Sequence, residues 1–140
     1  MFINPIATYK QMDIESDVLG ADPHRLIVLL FDGADSALKQ ALARLAANDF
    51  VGKSESIMKA IDIILDGLSS SLNLEEGGVL AQNLKALYGY MVSRLIHANI
   101  HKDSAAILEV QGLLNEISGA WKEMGQNLRQ TGGRNPDQQL

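Results

Sequence analysis

The sequence contains no cysteine, which excludes disulfides, a thiolate nucleophile and any cysteine-built zinc site. Proline is scarce: Pro5, Pro23 and Pro136 are the only three, and none falls inside a helical pattern. Positive charge is also in deficit, with 12 Lys+Arg against 17 Asp+Glu and a net charge of −5. A dedicated DNA-binding domain usually carries a basic face, so no nucleic-acid partner is expected. Long apolar runs are missing too. The longest, residues 26–31, falls far short of the roughly 20 residues of a spanning helix, so no membrane insertion is expected. The N-terminus has no basic start ahead of an apolar stretch, hence no signal peptide, and the expected location is the cytoplasm. Strand signatures are absent: no alternating runs flank an Asn-Gly or Asp-Gly turn.

What is present is apolar and helical. In 140 residues, 46% are hydrophobic, enough for one domain with a sizeable core. The mean hydropathy of +0.01 is greasy for a domain of this size and leaves apolar surface over for a partner. Asp22 followed by Pro23 is a helix start. Ile27, Leu30, Phe31, Ala34, Leu38, Ala41 and Leu45 then repeat at three- and four-residue spacing, up to Asn48 as a stop. A second helix starts near Asp49 or Phe50, with Ile57, Ile61, Ile64, Leu65, Leu68 and Leu72 as its stripe. Residues 74–78 read as a turn. A third helix carries Leu80, Leu84, Leu87, Tyr88, Met91, Leu95 and Ala98, and breaks at residues 101–103. A fourth carries Ile107, Val110, Leu114, Ile117 and Trp121 and stops at Gly125. Four helices of similar length joined by short links give an all-α fold, an antiparallel up-down-up-down four-helix bundle. Residues 22–125 form the bundle, residues 1–21 a short amphipathic cap segment, and residues 126–140 a flexible polar tail.

Few constellations carry chemistry. No G-x-S-x-G elbow is present, and Ser69, Ser70 and Ser71 read as a solvated helix end. Gly77-Gly78 lacks the Lys-Ser/Thr and the preceding strand of a phosphate loop. His97 and His101 share a helix face, but the residues between them are not His-Glu-x-x-His, and a helix C-terminus favours histidine through its dipole. Asp32, Asp35, Asp62 and Asp66 read as a solvated acidic face. No catalytic residue, metal or cofactor is expected.

The informative residues miss the core stripes. On a helical wheel Val28 and Leu29 leave the first stripe and Ile63 points nearly opposite the second. Val79, Tyr90 and Ile96 leave the third, and Leu108 the fourth. Single exposed apolar residues are ordinary. At least one on every helix predicts apolar grooves outside the core, suited to an amphipathic peptide. The same surplus fits a self-associating structural bundle with no client, a homodimer for example.

Five segments together resemble the FliS family of flagellar secretion chaperones. They are I-A-T-Y-K-Q at residues 6–11, D-P-H-R-L-I-V-L-L-F-D-G-A at 22–34 and K-A-I-D-I-I-L-D-G-L at 59–68. G-G-V-L-A-Q-N-L-K-A-L-Y-G-Y-M at 77–91 and the A-W-K stretch around Trp121 complete the set. The resemblance implies an antiparallel bundle with an N-terminal cap and no enzymatic activity. It implies a cytoplasmic role: binding the disordered C-terminal region of flagellin, preventing early polymerisation and assisting delivery to the flagellar type III export apparatus. It further implies that Ile6 and Tyr9 belong to a displaceable lid. With Leu29, Ile63, Tyr90, Ile96 and Leu108 from the wheel, they are the expected flagellin-binding residues.

Overall fold

The computed structural model describes residues 22–130. The expected cap segment, with Ile6 and Tyr9, lies outside them, as do residues 131–140 of the expected tail. Four helices and no strand occur among the described residues. Helix α1 spans Pro23–Ala46. Helix α2 spans Phe50–Asp62 and runs directly into a π-helical segment, Ile63–Ser69. Helix α3 spans Leu74–His101 and α4 spans Ser104–Gln130.

The helix starts follow from local chemistry. Asp22 accepts a hydrogen bond from the Arg25 backbone N–H at 2.8 Å, and Pro23 occupies the first turn, where no donor is needed. Asp49 caps α2 through the Gly52 N–H at 2.9 Å, and Asn73 caps α3 through the Glu76 N–H at 3.0 Å. Asp103 caps α4 through the N–H groups of Ala105 and Ala106. The reversals after α1 and α3 use left-handed residues, Asn48 at φ 59° and Lys102 at φ 53°.

Successive helices run antiparallel, as their contacts show. Arg44 reaches Gly52 and Ser56, Lys53 reaches Asn99, Arg94 reaches Glu109, and His24 reaches Trp121. Helices α1 and α3 each pack on both α2 and α4, so the four close into a ring around one core. Leu30, Leu38, Ile57, Ile64, Leu68, Met91, Leu95, Ile107 and Leu114 are fully buried there, each contributing about 1.5–3 kcal/mol of burial.

Several local expectations are corrected. Helix α2 is not regular throughout. Its buried row Gly52, Ser56, Ala60, Ile64, Leu68 repeats every four residues, which on a straight α-helix would drift by roughly 160° across that run. The wide π turns absorb this drift and keep Ile64 and Leu68 inward. Ile63, seven residues after buried Ser56, is itself buried at 2% exposure, whereas Leu65, expected in the core but seven residues after exposed Met58, is 42% exposed. Val28, expected off the stripe, is buried as well.

The segment 74–78 is not a simple turn. Leu74 to Gly77 form a first helical turn, and the break falls at Gly78 alone, with φ 56° and ψ −134°, a conformation that favours glycine. Helix α4 does not stop at Gly125 but continues to Gln130. Gly125 answers a packing need instead. A β-carbon there would lie 2.2 Å from the His24 ring.

Candidate functional site

The two ends of the bundle differ. At the end formed by the α1–α2 and α3–α4 reversals, polar groups close the core. The Lys53 side chain, 3% exposed, donates from Nζ to the Asn99 carbonyl at 2.9 Å. That carbonyl belongs to the last turn of α3, where a cation is favoured by the helix dipole. Ser54 Oγ donates to Asn99 Oδ1 at 2.8 Å, and Arg44 donates to Ser56 Oγ at 2.8 Å and to the Gly52 carbonyl. Lys102 Nζ sits 3.9 Å from the centre of the Phe50 ring.

At the other end the core opens. The start of α1, the π segment, the start of α3 and the end of α4 enclose an apolar cleft of about 400 Å³. Phe31, Leu68, Leu72, Leu84, Tyr88 and Trp121 line its interior, Leu80 and Glu76 its mouth. Leu80 is 69% exposed and the adjoining Val79 72%. Leu80 has the correct helical phase for the core, but among the described residues nothing packs over it. At the α1–α4 edge of the cleft stands a reciprocal pair. His24 Nε2–H donates to the Trp121 carbonyl at 2.6 Å, Trp121 Nε1–H donates to the His24 carbonyl at 3.1 Å, and the rings stack at 4.9 Å. Burial in the cleft wall pushes the Tyr88 phenol up to about 12.

A second apolar surface follows the α2–α3 seam. The Lys53 and Ser54 bonds to Asn99 mark which flank of each helix faces the seam. Met58 lies four residues after Ser54, Leu65 seven further on, Ile96 three before Asn99 and Ile100 four after Ile96; all four are exposed. Helical spacing places them along the seam. Carboxylates border this surface on α2. Asp62 is raised above the usual carboxylate range by partial burial and by the nearby charge of Asp66.

The residues singled out in the sequence do not converge on one patch. Ile96 lies on the α2–α3 seam. Tyr90 lies across the α3–α4 seam, where its hydroxyl donates to Glu109 at 2.5 Å beside Arg94 at 2.8 Å. These two bonds, Tyr90 first, hold the Glu109 carboxyl below its ordinary range, and the Glu109 bond raises the Tyr90 phenol. Leu108 is exposed on the outer face of α4, Leu29 is half-buried and Ile63 is core. Sequence reasoning missed the cleft mouth at Leu80 and the exposure of Met58, Leu65 and Ile100.

The acidic positions are surface groups. Asp35 pairs with Lys39 at 3.0 Å and accepts from Gln111, and Asp32 pairs with Lys122 at 3.1 Å. His97 lies 3.3 Å from Asp103 and its ring centre 4.5 Å from that of His101. No group of three or more ligating side chains suited to a metal ion occurs among the described residues. No helix among them is long and apolar enough to cross a membrane.

Comparison with known proteins places the chain in a family. The family model described as flagellar protein FliS matches residues 5–128. The flagellar secretion chaperone FliS of Salmonella typhimurium is 50% identical over 119 residues, covering 85% of this chain and 88% of that protein. The Escherichia coli protein of the same name is 46% identical over 115 residues, 82% and 85% of the two chains. The Bacillus subtilis one is 30% identical over 127 residues, 90% of each. With a four-helix bundle, an open apolar end and this extent of identity, the chain belongs to the FliS family of flagellar secretion chaperones, a non-enzymatic family.

Proposed function

We propose that this chain is a cytoplasmic export chaperone for flagellin. It holds the disordered C-terminal region of flagellin, prevents its premature polymerisation and assists its delivery to the flagellar type III export apparatus. The observation that carries this reading is the cleft at the open end, with further apolar side chains along the α2–α3 seam and at Leu108. A filament-forming terminus is amphipathic, and covering its apolar face blocks self-assembly. Ordering a flexible client costs about 2–5 kcal/mol, so the contact must be broad. Surfaces spread over several helix faces suit a client that wraps. Residues 1–21, through Ile6 and Tyr9, serve as a displaceable lid; a tyrosine there gives buried area with a polar tip.

Co-expression with the host's flagellin tests this. Full-length flagellin is expected to co-purify in stoichiometric amount, and flagellin lacking its C-terminal region is not. Leu80→Asp and Ile96→Asp should each lower the yield of complex at least tenfold while far-UV circular dichroism stays unchanged. Equal recovery of full-length and truncated flagellin would sink the reading.

A further inference from the structure

The outer face of α2 carries a repeat that the core does not use. Val51, Glu55, Met58, Asp62 and Leu65 follow one another at steps of four, three, four and three residues, and all are exposed. Steps averaging 3.5 residues keep side chains in line along a helix, as in the seam of a coiled coil. The row runs for about 21 Å and alternates aliphatic with acidic residues. Across the seam α3 presents Ile96 and Ile100. Gly89 lies seven residues before the first and Ser93 seven before the second, and both are exposed. A β-carbon on Gly89 would meet nothing within 4 Å, so another backbone can come close there.

The acids of this face lack counter-ions. Asp66 follows Asp62 by one turn, and among the described residues no cation pairs with Glu55, Asp62 or Asp66. Of the Lys and Arg residues on the two helices, Lys53 is buried on the Asn99 carbonyl and Arg94 is taken by Glu109, which leaves Lys59 and Lys85. Partial burial and the charge of Asp66 together raise the Asp62 carboxyl, as befits a rim short of positive charge.

Charge also separates the possible occupants. A second copy on a two-fold axis would set this row against itself and bring like charges together. Residues 1–21 hold Lys10 against Asp13, Glu15 and Asp17, and residues 131–140 contain one large apolar side chain, Leu140. None of these complements an apolar row with an acidic rim. We propose that the α2–α3 seam docks a basic amphipathic helix of a partner protein, with aliphatic residues at heptad spacing and Lys or Arg interleaved. The aliphatic residues pack on Val51, Met58, Leu65 and Ile96, and the cations pair with Glu55, Asp62 and Asp66. The pairing selects the partner more than it holds it. The inference shares with the flagellin reading only the use of the seam as a docking face.

A fluorescently labelled synthetic helix of three heptads, with Leu at the first and fourth positions of each and Lys at the fifth, tests this against the full-length protein by anisotropy. It is expected to bind at least tenfold tighter than the same peptide with Glu in place of Lys. Glu55→Gln combined with Asp62→Asn should weaken the Lys peptide at least fivefold. Glu116→Gln combined with Glu123→Gln, an equal change of charge on exposed positions of α4, should leave it within twofold. Equal losses in the two double variants would mean attraction to net charge alone and overturn the proposal, as would equal binding of the Lys and Glu peptides. Met58→Lys gives a second reading should the first double variant lose helicity, with a loss of at least tenfold expected and an unchanged affinity counting against the site. Sedimentation of the free chain covers the other occupant: self-association abolished by Met58→Lys would assign the face to a second copy and overturn the proposal. Flagellin co-purification is scored separately, so either reading can fail while the other stands.

Discussion

At one end of the bundle Lys53, Ser54, Arg44 and Asn99 tie three helices together over a fully packed core. At the other, His24 and Trp121 bind α1 to α4 and leave an apolar cleft beside them. Both ends use polar side chains to satisfy backbone carbonyls, yet only one is sealed. The difference lies in where the bonds fall. The Lys53 ammonium closes on the last turn of α3 and brings its alkyl stem across the core. The His24–Trp121 pair sits at one corner, and the space beside it among Leu68, Leu72, Leu80 and Leu84 stays open. Stability is thus concentrated at the polar end, and adaptable apolar area at the cleft end.

Paired truncations test that division most strongly. Ile57→Ala, one turn beyond Lys53 and fully buried, should cost about 2–5 kcal/mol. Leu80→Ala at the cleft mouth should stay within about 0.5 kcal/mol. Urea unfolding of both variants is the measurement, and equal losses would erase the proposed contrast.

A smaller effect, of opposite location, concerns pH. Tyr88 in the cleft wall is pushed up to about 12 by burial. Its folded form keeps the proton while the unfolded chain ionises from about pH 10. Above that pH the unfolded state binds fewer protons, so stability falls as pH rises, by up to about 1.4 kcal/mol per unit, until the folded phenol ionises near 12. Urea unfolding between pH 9 and 12 should show this slope, and Tyr88→Phe should flatten it.

Smaller still is the loss expected at a cap of the sealed end. Asp103→Ala removes the acceptor for two backbone N–H groups of α4 and should cost about 1 kcal/mol. Asp103→Asn should recover most of it in thermal denaturation, since its amide oxygen accepts the same bonds.

Much of the fold was legible because it rests on local rules. Asp22-Pro23, Asp49, Asn48 and Asp103 act where capping chemistry places them, and the apolar spacing of α1 and of the second half of α3 marks the faces that pack. The candidate site was read only in part. Tyr90, Ile96 and Leu108 are exposed as the wheel indicates, but they lie on different faces of the ring. Ile63 was misassigned because an apolar stripe omits the small and polar residues Gly52, Lys53 and Ser56, whose burial turns the packed face of α2 toward Ile63. Leu80 was misassigned because periodicity gives a residue's direction without saying whether a neighbour reaches that far. Gly125 looked like a stop because a glycine's packing partner, here the His24 ring about a hundred positions earlier, is invisible locally.

The sequence by itself determined four helices, three of their N-caps and the order in which they reverse, since each depends on residues only a few positions apart. It also determined that more apolar side chains exist than the helix stripes require. Only tertiary structure decided where that excess goes. The π winding, the sealing of one end by Lys53 and the open cleft beside Trp121 all depend on packing between segments far apart in the chain, which local spacing does not show.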